Sequence, residues 1–183
     1  MAVLTAVVVL GLIGLVNLVL TMGVIRRLRE HSTLLAGGAG EVLHGPPPPI
    51  SDLVPGETPA EFSVRIDGER ELTGPAGLRV VAFFSPLCAV CAERVPPFIE
   101  YVRGHAIARD SVLVAVEHNE GVAAPAYLDE LAAVAQVCSG PDGDKVTAAF
   151  KMQGNPAFAV LNADGVLVAT GFDPLTLPEP AGV

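Results

Sequence analysis

The amino-acid sequence predicts an α/β sandwich built on a mixed β-sheet, preceded by one transmembrane helix. Two apolar runs without alternation, 79–84 and 111–117, are typical of parallel strands that are covered on both faces of a sheet. Segments with helical character follow these runs, and a turn at residues 162–165 closes an antiparallel hairpin. No charged residue occurs in the first 25 positions, which indicates a separate membrane anchor.

Residues 3 to 25 are apolar and long enough for a helix to cross the roughly 30 Å hydrocarbon core of a bilayer. A cleavable signal peptide is the alternative, but it needs a basic start and an apolar core of only about 7 to 15 residues. We therefore assign residues 1–30 to a transmembrane anchor with a basic junction. Arg26, Arg27 and Arg29 follow the span directly, and the positive-inside rule then favours a cytoplasmic location for the rest of the chain.

Residues 31–55 are rich in glycine and proline and predict a tether, which leaves residues 56–183 for a single small domain. Of the 11 basic and 20 acidic residues in the chain, 8 basic and 19 acidic lie outside the junction at residues 26–30. Such an acidic domain, without tryptophan, is a poor binder of nucleic acid, and we expect no nucleic-acid partner.

The pattern predicts each element of this domain in turn. Asp67-Gly68 is typical of a tight turn between two short strands, and Pro125 is typical of a helix start. Pro96 and Pro97 should kink the helix that contains them. Pro178 and Pro180 limit the tail to at most one helical turn. The predicted strands are 61–66, 70–72, 79–84, 111–117, 136–139, 157–161 and 166–170. One predicted helix follows the cysteine motif and ends near residue 103, and two further helices span 125–134 and 144–152.

The most informative motif is Cys88-Ala89-Val90-Cys91, which follows the first long apolar run through a short turn, where a helix should begin. At a helix N-terminus, unpaired backbone N–H groups and the macrodipole favour a thiolate, so Cys88 is the candidate nucleophile. Cys91 lies nearly one turn further and can close or release a disulfide with little backbone movement. The spacing therefore favours redox chemistry.

A metal site and an inert cysteine pair are the alternatives. A thiolate metal site usually needs four ligands, and the chain has three cysteines and no second Cys-x-x-Cys. A mixed site of Cys88, Cys91 and Cys138 with either His105 or His118 remains arithmetically possible. We expect no metal and no cofactor, and we expect Cys138 to be a small buried hydrophobe.

Two separated segments resemble thioredoxin-fold proteins. Residues 83–91, with Pro96 five positions after the second cysteine, look like the active-site segment of that superfamily, and residues 153–160 look like its cis-proline loop and following strand. The resemblance covers about residues 56–172. Within the superfamily the chain resembles the membrane-anchored TlpA-type thiol-disulfide oxidoreductases, and its Ser-Pro-x-Cys-x-x-Cys variant is similar to the MauD type of methylamine-utilisation accessory protein.

The resemblance implies a thioredoxin-like three-layer α/β/α sandwich, here with a truncated C-terminal helix. It implies that Cys88 attacks a substrate disulfide and that Cys91 resolves the mixed disulfide. Pro156 would be cis and would face the cysteines, with the backbone of Asn155 available to an extended substrate segment. The implied partners are client proteins with thiols or disulfides and an upstream thiol redox partner.

Two positions depart from the family pattern. Leu87 stands where a tryptophan usually precedes the first cysteine, which removes an aromatic platform beside the nucleophile. Ala82 stands where many relatives have a buried acidic or amide residue, so no buried carboxylate is evident as the proton acceptor for Cys91.

The function predicted on this basis is a membrane-tethered protein-disulfide oxidoreductase. The alternatives are a redox-inactive or metal-handling binding module that uses the same fold, and a thiol peroxidase. We expect a single-pass membrane protein whose catalytic domain is extracytoplasmic, although Arg26, Arg27 and Arg29 favour the opposite side.

Overall fold

The computed structural model describes residue 11, residues 49–67 and residues 70–180. The predicted membrane span, the arginines of its junction and most of the predicted tether therefore lie outside the described residues. Within the described residues, no helix has both the length and the apolar character that a membrane crossing requires.

The last part of the predicted tether belongs to the folded domain. Ser51 forms an isolated antiparallel bridge with Met152, and its hydroxyl donates to the carbonyl oxygen of Phe150 at 2.6 Å. Leu53 is buried in the core. The domain therefore begins before residue 56, because this apolar side chain and its neighbours pack against the sheet layer although their sequence shows no periodicity.

The elements alternate between strands and helices, as the sequence predicts. In chain order they are β1 (Phe62–Ile66), β2 (Arg70–Gly74), β3 (Val80–Phe84), α1 (Cys91–Gly104), β4 (Val112–Val116), α2 (Leu128–Ala132), β5 (Gln136–Ser139), α3 (Pro141–Ala149), β6 (Ala157–Leu161) and β7 (Leu167–Gly171), with 3-10 turns at Arg109–Ser111 and Pro174–Thr176.

In the described part of the chain, five strands form one mixed sheet in the order β5-β4-β3-β6-β7. The central strand β3 pairs in parallel with β4 and antiparallel with β6, and β1 and β2 form a separate antiparallel hairpin. Every residue of β3, β4 and β6 is buried. This confirms the prediction, made from the missing alternation, that the sheet is covered on both faces.

The domain has three layers. Val80, Ala82 and Phe84 of β3 pack on the same side as α1 and α2, whereas Val81 and Phe83 pack on the opposite side with α3 and the β1–β2 hairpin. Because successive side chains of a strand point to opposite faces, one strand contributes to both halves of the core.

Two helices differ from their predicted ranges. Helix α2 is shorter than residues 125–134, because residues 125–127 form a turn closed by the Leu128 N–H on the Pro125 carbonyl at 3.2 Å. Helix α3 begins at Pro141 and not at residue 144. Gly140, with φ of 66°, turns the chain out of β5, and proline is well suited to the first helical position that follows.

The chain after β7 forms one 3-10 turn and an extended tail, as the two prolines predict. The tail is attached to α1 by three contacts. Tyr101 donates to the carbonyl oxygen of Pro178 at 2.7 Å, Arg94 pairs with Asp173 at 3.3 Å, and Leu177 is buried in the cluster on the α1 side. This tail lies against α1 without forming a further α-helix in the described residues.

We expect Gly143→Ala to lower the free energy of unfolding by about 1–3 kcal/mol, although alanine is the better helix former. A Cβ at Gly143 would collide with the carbonyl group of Val116 at the end of β4. Denaturant unfolding of the full-length chain measures the change. Gly104→Ala is the matched control, since a Cβ at that helical position meets no atom within 4 Å. Equal stability of the two variants would contradict this account of the α3–β4 contact.

Candidate active site

Two consecutive turns lead from β3 into α1 and carry the two cysteines, Cys88 within the turns and Cys91 at the first position of the helix. The N–H of Cys88 donates to the carbonyl oxygen of Ser85 at 3.1 Å, and the N–H of Cys91 donates to that of Cys88 at 3.1 Å. Helix α1 begins at Cys91, with Val90 as its N-cap. The expectation that Cys88 occupies the helix N-terminus is therefore corrected, because two turns are needed to bring the chain from the strand into the helix.

The structure distinguishes the two thiols by their burial. Cys88 is half-buried, whereas Cys91 is completely buried, and both are free thiols. Burial is the main cause that raises the pKa of Cys91 to about 12, with further contributions from its hydrogen bond with Cys88 and from the charges of Cys88 and Glu117. The backbone N–H of Ser85 acts in the opposite direction, because it stabilises a Cys91 thiolate.

The cis-proline loop meets the cysteine turn. The Asn155–Pro156 peptide bond is cis, as predicted, and the Cys88 thiol donates to the carbonyl oxygen of Asn155 at 3.4 Å. The structure therefore brings together all four predicted site residues, which are Cys88, Cys91, Asn155 and Pro156. The side-chain oxygen of Asn155 is buried and has no hydrogen-bond partner among the described residues. A second cis bond, Gly74–Pro75, was not predicted and follows β2.

Tyr127 is a further part of this site that the sequence did not predict. Its ring lies 5.8 Å from that of Phe84, and its hydroxyl lies 3.5 Å from the carbonyl oxygen of Ser85. Burial first, and then the charges of Cys91 and Cys88, raise the pKa of Tyr127 to about 12. The structure thus places an aromatic side chain beside the dithiol although Leu87 is 69% exposed and offers no platform. No local signal in the sequence identifies Tyr127.

Glu117 is another residue near the cysteines that the sequence did not predict as part of the site. It is half-buried and directly follows β4, and its N–H donates to the carbonyl oxygen of Phe84 at 3.0 Å. Ala82 is buried in the sheet, so the position at which the resemblance leads one to expect an acidic or amide residue carries no charge here. The carboxylate of Glu117 acts on Cys91 from the neighbouring strand and contributes to its raised pKa. Its position after a strand that is parallel to β3 is a signal that could have identified it.

Cys138 is remote from this site. It is buried on the α3 side of the sheet, whereas Cys88 and Cys91 belong to the α1 side. Its thiol faces the carbonyl oxygen of Val114 at 3.6 Å, and burial raises its pKa to about 12. Among the described residues, no group of three or more His, Cys, Asp and Glu side chains could hold a metal ion.

His105 and His118 do not join the cysteines either. The ring of His105 packs against Tyr101 near the end of α1, with its Nδ1 atom 2.9 Å from the Tyr101 carbonyl oxygen. The N–H of His118 donates to Asp144 of α3 at 2.8 Å. The four-ligand combination left open by the cysteine count is therefore not assembled in the part of the chain that the structure describes.

Solved structures place the fold in a known class. The chain is similar to a thio-disulfide isomerase from Thermus thermophilus, with 20% identity over 66% of this chain and 87% of that chain and a TM-score of 0.51. It is also similar to the thioredoxin domain of a thiol-disulfide oxidoreductase from Bacteroides vulgatus, with 13% identity, coverage of 67% and 91%, and a TM-score of 0.55. A thiol:disulfide interchange protein from a Bacteroides species matches at 14% identity, with coverage of 67% and 86% and a TM-score of 0.52.

No family model matches the chain, and no curated protein matches it in sequence. At these identities the structural likeness establishes the fold, which is a thioredoxin-like mixed α/β fold with a five-stranded sheet in the described residues. The solved structures with this likeness are thiol-disulfide oxidoreductases.

We expect alkylation of the reduced full-length chain with iodoacetamide at mildly acidic to neutral pH to label Cys88 first. Cys91 and Cys138 are buried, and a pKa of about 12 leaves each with very little of the reactive thiolate at such a pH. Because their pKa values are raised, their labelling should increase only as the pH approaches that value. Peptide mass spectrometry identifies the labelled residue, and Cys88→Ser should abolish the early product. Early labelling of Cys91 or Cys138 would reverse the assigned order.

Proposed function

We propose that this chain is a membrane-tethered thiol-disulfide oxidoreductase that exchanges disulfides with client proteins through Cys88 and Cys91. The observation that carries the proposal is the arrangement around Cys88. Its half-buried thiol contacts the carbonyl oxygen of Asn155, next to Pro156, and the buried thiol of Cys91 lies directly behind it.

The exchange takes two displacement steps. The thiolate of Cys88 attacks one sulfur of a client disulfide, so that a Cys88–client bond forms, the client bond breaks, and the other client sulfur leaves as a thiolate and takes a proton. Cys91 then loses its proton and attacks the Cys88 sulfur, which forms the Cys88–Cys91 disulfide and releases the second client thiol. The client disulfide is reduced and the dithiol is oxidised, and the reverse sequence oxidises a client.

The burial of Cys91 supports this order of events. A thiol with a pKa of about 12 keeps its proton while the site is empty, so two adjacent thiolates do not form at neutral pH. Cys91 therefore acts only once a mixed disulfide stands beside it. Because each cycle changes the oxidation state of the dithiol, an upstream thiol redox partner must restore it.

The surface beside Cys88 suits an extended client segment. Leu87 and Val90 flank the nucleophile and are 69% and 46% exposed, so they offer apolar contacts to a client. The backbone of Asn155 lies next to the nucleophile and offers hydrogen bonds of the kind that a strand-like segment makes.

The membrane anchor and the location of the domain are further parts of the proposal. The anchor rests on the uncharged segment at residues 3 to 25, and an extracytoplasmic domain rests on the persistence of disulfides outside the cytoplasm. The proposed relationship to the TlpA-type and MauD-type proteins rests on the Ser-Pro-x-Cys-x-x-Cys segment together with residues 153–160.

Turnover is tested by reduction of insulin disulfides with a small dithiol as the electron donor. We expect activity from the full-length chain, loss to the uncatalysed rate in Cys88→Ser, and retention in Cys138→Ser, since Cys138 lies on the other side of the sheet. Activity that survives in Cys88→Ser would remove the proposed nucleophile. An inactive wild-type chain would favour a redox-inactive binding module, and peroxide consumption with the same donor would favour a thiol peroxidase.

A second experiment traps clients. In Cys91→Ser the resolving thiol is absent, so the mixed disulfide between Cys88 and a client should persist. Non-reducing electrophoresis detects such covalent adducts, and a reductant should release them. The double variant Cys88→Ser/Cys91→Ser is the matched control and should yield none. If Cys91→Ser yields no more adducts than the double variant, exchange with protein clients is contradicted.

The location of the domain is tested by fusing a reporter that is active only outside the cytoplasm to the C-terminus of the full-length chain. We expect an active reporter. Replacing Arg26, Arg27 and Arg29 by glutamine should raise its activity further, because these arginines favour a cytoplasmic domain. An inactive reporter, together with activity of a second fusion whose reporter works only in the cytoplasm, would place the domain on the opposite side.

A further inference from the structure

The backbone of Ser85 acts on both cysteines. Its carbonyl oxygen accepts the N–H of Cys88 at 3.1 Å. The turn continues to Cys91, whose N–H donates to the carbonyl oxygen of Cys88 at 3.1 Å. A hydrogen bond from the Ser85 backbone also favours the thiolate form of Cys91. The orientation of Ser85 therefore determines how well a Cys91 thiolate is supported.

Tyr127 contacts this same residue from outside the turn. Its hydroxyl points to the Ser85 carbonyl oxygen at 3.5 Å, and its ring packs against that of Phe84, the residue before Ser85. Both Tyr127 and Cys88 are partly buried against the core cluster on the α1 side. Since the pKa of Tyr127 is raised to about 12, its hydroxyl keeps its proton and remains a hydrogen-bond donor at neutral pH.

We propose that Tyr127 is a positioning residue for the resolving step, because its hydroxyl holds the carbonyl of Ser85, the residue that anchors the turn carrying Cys88 in front of Cys91. This inference rests on the proposed function. It assigns to a residue outside the Cys-x-x-Cys segment a part in the second displacement of the exchange.

The charges around Cys91 explain why the support from the Ser85 backbone matters. Cys88 from the turn and Glu117 from the end of β4 both disfavour a second negative charge, and Tyr127 carries no charge. Arg94, the basic residue one turn into α1, is paired with Asp173 of the tail at 3.3 Å. The Ser85 backbone thus supplies a contact that favours the Cys91 thiolate. If Ser85 moves, the thiolate is harder to form and resolution is slower.

The two displacements can be followed separately with the aromatic disulfide 5,5′-dithiobis(2-nitrobenzoate) and the reduced full-length chain. Attack by Cys88 breaks the reagent disulfide, forms a mixed disulfide and releases one coloured thiolate. Attack by Cys91 on Cys88 then forms the Cys88–Cys91 disulfide and releases the second coloured thiolate. Stopped-flow absorbance records the two releases as two phases, and Cys91→Ser serves as the one-phase reference.

In Tyr127→Phe we expect the second phase to slow by about 3- to 10-fold, the size typical of one lost hydrogen bond, while the first phase changes by less than about twofold. The pH midpoint of the second phase should also move upward, which a loss of general packing does not predict. Tyr101→Phe is the matched control, since Tyr101 is likewise part of the α1-side cluster but donates to Pro178 at 2.7 Å. We expect neither phase to change in this control.

The inference is overturned if the second phase and its pH midpoint are unchanged in Tyr127→Phe. It is also overturned if Tyr101→Phe slows the second phase equally, or if both phases slow to the same extent. A wild-type chain that shows no first phase contradicts the proposed function itself. A wild-type chain with two phases that Tyr127→Phe leaves intact contradicts the role of Tyr127 alone.

Discussion

The pairing of the central strand β3 is the constraint on which the site depends. Parallel pairing with β4 places the end of that strand, and hence Glu117, at the same edge of the sheet as the turn that follows β3. Antiparallel pairing with β6 places the start of β6, and hence Asn155 and Pro156, at this edge as well, since Phe83 is the partner of Ala157. A register shift in either pair would turn side chains to the wrong face and separate these groups.

The difference between the two cysteines arises from their surroundings and not from their chemistry. Cys91 is the first residue of α1 and belongs to the core that this helix forms with the sheet, whereas Cys88 stays in the turn at the surface. Removing a thiolate from water is costly, so burial keeps the inner thiol protonated and leaves the outer one accessible. The same packing that stabilises α1 therefore makes Cys91 the inner, protonated thiol and Cys88 the accessible one.

Two positions at which the expected residue type is absent are accompanied by contacts from other elements. Leu87 supplies no aromatic ring, but the ring of Tyr127 lies beside the dithiol. Ala82 supplies no carboxylate, but Glu117 acts on Cys91 from the adjacent strand. The tail that follows β7 is rich in proline and forms a 3-10 turn in the described residues, and it attaches to α1 through Tyr101 and the Arg94–Asp173 pair.

The sequence alone determined the features that depend on near neighbours in the chain. The continuous apolar runs predict β3 and β4, the turn at residues 162–165 predicts the β6–β7 hairpin, and the motif context predicts a cis Pro156. Only the tertiary structure decided the start of α1 at Cys91, the burial of Leu53 and the position of Tyr127. It also decided that Cys138 faces away from the other two cysteines. The physical reason is that burial and side-chain contacts follow from strand order and register, which join residues far apart in the chain and leave no local pattern in the sequence.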